Sequence, residues 1–184
     1  MAPGAWLIAL AWALLVFLAV EIARLAALWR HGEAARVNWI GGLASLPRRY
    51  LVDVHAIVGR KPEAARMHQA IAGGLLGGTV LLLLGVVPAL RASLLYWALL
   101  AIAFATSVIG AVLVARRRRA ARPAHLSGGA FTRLPVFLGA YAIGALLAAI
   151  GEILGFWLLG ILGLVLAAFG GVVLIAQVRD GPMR

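Results

Sequence analysis

The feature that most constrains this chain is the recurrence of uncharged apolar runs about as long as a bilayer is thick. Trp6 to Val20, Ile71 to Val87, Leu94 to Ala115 and the long stretch from Leu134 to Val178 are almost free of charge. A hydrocarbon core of about 30 Å is crossed by roughly 20 helical residues. Inside it, each backbone N–H and C=O must be satisfied within its own segment. The runs therefore read as membrane-spanning helices. The expected fold class is all-α: a polytopic membrane protein with about five transmembrane helices and one interfacial amphipathic helix. With 64% hydrophobic and 12% charged residues in a chain of 184, no room is left for a large soluble domain.

The last run sets the number of spans. As one helix, residues 134–178 would reach about 67 Å at 1.5 Å per residue, twice the core thickness. It must fold back near Ile150 to Gly155, which puts Glu152, the break in this run, in a tight turn at the membrane surface. The expected spans are about 3–29, 68–87, 93–115, 134–150 and 154–178, within a single membrane domain. The first lacks the basic leader of a cleavable signal and reads as a retained anchor.

Charge then orients the chain. With five spans, the connections after the first, third and fifth share one side, and that side collects every lysine and arginine except Arg91. Such a bias marks the cytoplasmic face, so the N-terminus is expected outside and the C-terminus in the cytoplasm, in a bacterial inner membrane. Four or six spans would scatter the arginines. The run Arg116, Arg117, Arg118 and Arg119 abuts a span, so it reads as a stop-transfer signal with affinity for anionic lipid, and no nucleic-acid partner is expected. With Arg48 and Arg49, these residues are the candidate docking groups for lipid or a partner.

The cytoplasmic connection, residues 30–67, carries the interfacial helix. Leu46, Tyr50, Val54 and Ile57 fall on one helical face and Arg49, Asp53 and Arg60 on another, with Pro47 in the first turn and Gly59 and Pro62 at the end. The second span has His68 at its foot. Its glycines Gly73, Gly74, Gly77 and Gly78 form two overlaid GxxxG patterns, expected to serve helix packing inside the monomer ahead of a dimer contact. Pro88 and Arg91 mark a short outer turn, and Tyr96 and Trp97 read as interfacial aromatics. Glu21 and Arg24 share a face near the inner end of the first span. They read as an interfacial ion pair with a snorkelling arginine, the functional alternative being a proton or quinone contact.

No cysteine is present, so disulfides, thiolate zinc sites and cysteine-ligated iron–sulfur clusters are excluded within the chain, and no metal site is expected. There is no GxSxG, HExxH or Walker lysine motif and no pair of carboxylates. A transporter is disfavoured because midplane charges and an inverted repeat are missing. The four histidines, His31, His55, His68 and His125, all fall in inner connections or at inner helix ends. Solvated or interfacial histidines are the simplest reading. Membrane haem b needs two histidines on facing spans, so it is disfavoured; a haem near the inner surface, held by His68 with His31 or His55, is the weaker alternative. A quinone site is the third. It needs an apolar slot, hydrogen-bond donors and a proton route, which His68 and Gln69, with His55 and Asp53 nearby, are the candidates to supply.

The run VNWIGGLASLPRRYLVDVHAIVGRK (Val37 to Lys61), then ARMHQAIAGG (Ala65 to Gly74), VARRRR, SGGAFTRLP and the terminal GPMR carry a family resemblance. From about Arg24 onward the chain resembles the N-terminal membrane region, a domain of unknown function, of the ferredoxin-type iron–sulfur membrane proteins of dimethylglycine catabolism. The resemblance implies a cytoplasmic domain with cysteine-ligated clusters after the membrane region, passing electrons from a flavin-linked demethylating dehydrogenase towards the membrane. This sequence stops at Arg184, about where that domain would begin. The clusters are therefore expected on a partner or on a further C-terminal domain, beside a flavoprotein dehydrogenase. The matching positions of interest are Arg48, Arg49, Asp53, His55 and His68. The expected function is a membrane anchor that is not catalytic alone and serves electron flow towards the quinone pool. The alternative is an assembly protein with no redox role.

Overall fold

Hydrocarbon leaves a backbone segment only one way to satisfy its own polar groups, and the described part of the chain takes it throughout. The computed structural model describes residues 3–29, 38–49, 62–120 and 128–180. Its elements are α1 (Pro3–Trp29), α2 (Trp39–Arg48), α3 (Pro62–Leu84), α4 (Pro88–Arg91), α5 (Leu94–Ala120), α6 (Gly128–Leu154) and α7 (Trp157–Asp180), with no strand among the described residues. Five of them, α1, α3, α5, α6 and α7, are long and apolar enough to cross a membrane. The chain is an all-α, multi-pass membrane protein.

Where the boundaries differ from expectation, they differ mostly at the arginine-rich end. Helix α3 starts at Pro62, two turns ahead of His68. Proline has no N–H to lose and a φ suited to a first turn, and the Glu63 behind it suits the positive end of the helix dipole. Helix α5 runs past Ala115 through the arginines to Ala120. Arginine is a good helix former, so losing the lipid does not end the helix. Its length of about 40 Å exceeds the core by about 10 Å and carries Arg116 onward clear of the hydrocarbon. Helix α6 starts at Gly128, not Leu134, with Pro135 inside it. Apolarity marks what lies in lipid; it does not mark where a helix begins.

At the other end, α6 turns into α7 through Gly155 and Phe156. Gly155 takes φ 65°, a left-handed conformation that favours glycine, and Phe156 N–H donates to the Gly151 carbonyl at 2.9 Å. Glu152 is therefore in the last turn of α6, one step before the turn itself.

Lipid tails are as apolar as leucine, so helices in a membrane associate through close contact. The most extensive pair is α6 with α7, followed by α3 with α5 and α5 with α6; α1 lies chiefly on α7. In the α6–α7 seam, backbone meets backbone: a Cβ on Gly163 would run into the Ala148 amide nitrogen, and one on Gly151 would lie 2.6 Å from that of Gly160. The glycines of α3 split by face. Gly74 and Gly78 press on Ala103, Ser107 and Phe104 of α5, whereas Gly73 and Gly77 have nothing within 4 Å. Leu7, Leu82, Leu100 and Phe104 fill the centre, where Phe104 meets Tyr141 edge to face at 5.8 Å.

Gly163→Val should cost about 3 kcal/mol by forcing the seam apart, whereas Gly73→Ala should stay within about 0.5 kcal/mol. Thermal unfolding of the two variants in detergent checks the contrast.

Candidate functional site at the arginine-rich end

The two ends of the bundle are built differently. At the end holding the α3–α5 and α6–α7 turns, polar tips close on freed backbone. Tyr96 OH donates to the Leu81 carbonyl at 3.0 Å, which also accepts from the Gly85 N–H at 3.1 Å, and Trp97 Nε1 donates at 2.8 Å to the Arg91 carbonyl, at the C-terminus of α4. This corrects the expectation for Tyr96 and Trp97. They are 5% and 4% exposed and pack edge to face at 4.9 Å, so they lie in the core and not in an aromatic belt. The exposed aromatics of this end are Trp6, Phe156 and Trp157. Trp6 and Trp157, with Pro3, Ile161 and Leu164, line an open apolar groove of about 430 Å³ between α1 and α7. No charged residue lines it. Glu152 ties the same end together: its Oε2 accepts from Gly4 N–H at 2.9 Å. Gly4 is in the first turn of α1, where amides have no helical partner, so α6 supplies α1 with a charged cap.

The opposite end carries the cations. Arg116 and Arg117 are exposed on the last turns of α5, and Arg118 and Arg119 continue that helix. Arg48 and Arg49 are exposed at the end of α2. Helix α2 begins seven residues ahead of Leu46, where the interfacial helix was expected, and so Pro47 falls in its last turn and not in a first one. Its signal is Asn38, whose Oδ1 accepts from Gly41 N–H at 2.8 Å and caps the first turn. Ile40 and Leu43, three residues apart and thus on one side, are 84% and 63% exposed, an apolar face suited to the membrane surface.

Of the quinone candidates, His68 and Gln69 are adjacent and exposed in the second turn of α3. Asp53 and His55 lie outside the described residues, as does His31. Of the four quinone candidates the structure describes these two, which are neighbours in sequence, and of the weak haem candidates it describes His68 alone. Among the described residues no group of three His, Cys, Asp or Glu could hold a metal ion. An iron–sulfur cluster needs thiolates, and a chain without cysteine does not offer them.

Glu21 is a buried polar group toward this end. It is 3% exposed, and its Oε1 accepts from Arg24 Nη1 at 3.2 Å, while the Arg24 side chain is 61% exposed. The acid is inside and the base reaches out, as a snorkelling pair requires. Glu21 Oε2 and Gln177 Nε2 are buried with no partner among the described residues. Sequence reading passed over Gln177, taking Glu152 as the sole break in the last apolar run. A lone amide near the inner end of a span was the available signal.

A multi-pass bundle with a cation-rich face at one end defines the class. Within it, residues 4–184 match the family model described as "Domain of unknown function (DUF3483)", and the chain belongs to that family. It is 37% identical over 183 residues to a protein of Chromohalobacter salexigens named "Probable membrane-anchored ferredoxin", an alignment covering 93% of this chain and 27% of that protein. The chain thus spans about a quarter of the length of this curated relative. No solved structure matches.

Glu152→Ala should destabilise the bundle by about 1 kcal/mol through the lost α1 cap, and Glu152→Gln, which still offers an oxygen, by less. Thermal unfolding in detergent checks both.

Proposed function

We propose that this chain is the membrane platform of an electron-transfer system, holding an iron–sulfur partner or domain at its arginine-rich end and serving electron flow towards the quinone pool. The observation that carries this is the likeness to a protein named as a membrane-anchored ferredoxin along a stretch that, in this chain, contains no cysteine. Clusters need thiolate ligands, so a stretch built like this one supplies the anchorage while the clusters reside elsewhere. The charge bias supports a cytoplasmic location for the arginine-rich end and the C-terminus, with the N-terminus outside, in a bacterial inner membrane.

Chemistry at that end suits docking. Arginine presents a planar fork of donors that pairs bidentately with carboxylates. On a helix that projects beyond the lipid, Arg116 to Arg119 offer an acidic partner both a target and long-range attraction. Arg48 and Arg49 add to the same field. The upstream donor on this reading is a flavoprotein dehydrogenase, which the resemblance to dimethylglycine catabolism makes a demethylating one. The downstream acceptor is quinone, with His68, Gln69, Asp53 and His55 as its polar partners. Haem b remains disfavoured because His68 is the one histidine in a described span.

Arg116→Glu combined with Arg117→Glu should weaken binding of a purified cluster-bearing partner at least tenfold in low salt, a difference that shrinks as salt screens the charges. His68→Ala should slow quinone reduction by the reconstituted complex without changing docking. If quinone reduction proceeds equally well without the chain, the redox role fails.

A further inference from the structure

Helix α2 stands apart from the bundle. The extensive contacts among the described helices join α1 and α3 to α7, and α2 takes part in none of them. Its own turns are nevertheless closed: Asn38 Oδ1 accepts from Gly41 N–H, and Ser45 Oγ donates to the Gly42 carbonyl at 2.8 Å. A helix as short as these ten residues is marginal in water by itself, so α2 needs a surface to lie on. Residues 30–38 tie its start to the end of α1, which keeps it within about 35 Å of the arginine-rich surface.

The rotation of the helix sorts its side chains. Each residue advances about 100° around the axis, so Ile40 and Leu43 lie about 60° apart and mark one side. Both are largely exposed. Gly41, Gly42 and Ser45 fall on the opposite side. The same rotation separates Arg48 from Arg49, both of them exposed. Arg48 stands about 110° from the centre of the apolar side, at its flank, whereas Arg49 stands about 150° from it, on the polar side. An arginine at the flank lays its methylene stem along apolar material and lifts its guanidinium to the head groups. One on the polar side turns to water.

We propose that α2 lies in the head-group layer of the leaflet at the arginine-rich end and is held there by anionic phospholipid, with Ile40 and Leu43 in the acyl boundary, Arg48 on a lipid phosphate and Arg49 facing the water. The bilayer is the occupant because α2 is tethered to it on both sides: α1 leaves the membrane before it and α3 enters the membrane after it. Charge complementarity selects the lipid. Arg48, Arg49, Arg66, Arg116 and Arg117 are all exposed at this end, against the exposed acid Glu63. An arginine near an anionic surface is worth about fivefold in partition. For a helix this short, two aliphatic side chains bind modestly, and the charge decides whether α2 is down or free. The two candidate docking arginines are thereby divided: Arg48 belongs to lipid, and Arg49 remains for the aqueous side. This assignment does not depend on the redox reading.

The test is spin labelling of the full chain in lipid nanodiscs of phosphatidylcholine, with and without phosphatidylglycerol. The chain has no cysteine, so Leu43→Cys and Gly42→Cys each give one nitroxide site. A Cβ on Gly42 meets nothing within 4 Å, and Leu43 is exposed, so neither change disturbs the bundle. The readout is accessibility to oxygen, which concentrates in hydrocarbon, and to a water-soluble nickel chelate. With phosphatidylglycerol, the label at position 43 should meet oxygen and be screened from nickel, and the label at position 42 should do the reverse. Without it, nickel should reach position 43. Arg48→Gln should lower the ratio of bound to free α2 about fivefold, and Arg49→Gln should leave it unchanged. If nickel reaches position 43 in both lipids, α2 is not on the membrane and the proposal fails. If position 43 is screened from both reagents, protein covers the face and the proposal fails. If the two lipids give the same result, or the two arginine variants behave alike, the role given to anionic lipid and Arg48 is wrong.

Discussion

A guanidinium group cannot rest in hydrocarbon without a partner or a path to water, and that constraint organises the molecule. Among the described residues of the five long helices, the arginines cluster toward one end of the bundle, and Arg91 lies apart from them at the other. With five helices alternating in direction, long connections fall on the arginine-rich side and tight turns on the other. The same rule explains Arg24, which reaches outward while its partner Glu21 stays in. It also explains why α5 runs on beyond the lipid: its last turns carry charge that has somewhere to go.

The opposite end, where Arg91 lies, is held by groups that satisfy backbone. Tyr96 donates to the Leu81 carbonyl of α3, Trp97 to the Arg91 carbonyl that ends α4, and Glu152 accepts an open amide of α1. Together with the glycine seam between α6 and α7, these contacts tie the helices together at that end. The division of labour follows: one end holds the helices together, and the other carries exposed arginines and the exposed His68.

Much of this was legible in the sequence, because bilayer thickness and charge act on composition alone. The five helices, the fold-back of residues 134–178 and the ion pair of Glu21 with Arg24 follow from run length and spacing. Helix starts were not legible: Pro62 and Gly128 lie outside the apolar runs, and nothing in lipid solubility points to them. The roles of Tyr96 and Trp97 were misread because position along a span says nothing of which face a ring takes. Helix α2 has a short pattern with two glycines, and only the Asn38 cap announces it. Gln177 was missed because one amide barely changes the hydropathy of a long run. His55 and Asp53 fall outside the described residues, so their place beside His68 is still a reading of sequence.

The claim on which the account rests is that the arginine-rich end faces the cytoplasm while the Arg91 turn faces outward. A chain with no cysteine of its own invites single-cysteine labelling. Cysteines placed at Ala92 and at Ala121, in intact cells treated with a membrane-impermeant maleimide, should give opposite results. The account predicts labelling at position 92 from outside and at position 121 only after the membrane is opened. Labelling of position 121 in sealed cells, with position 92 protected, would turn the molecule over and contradict the account.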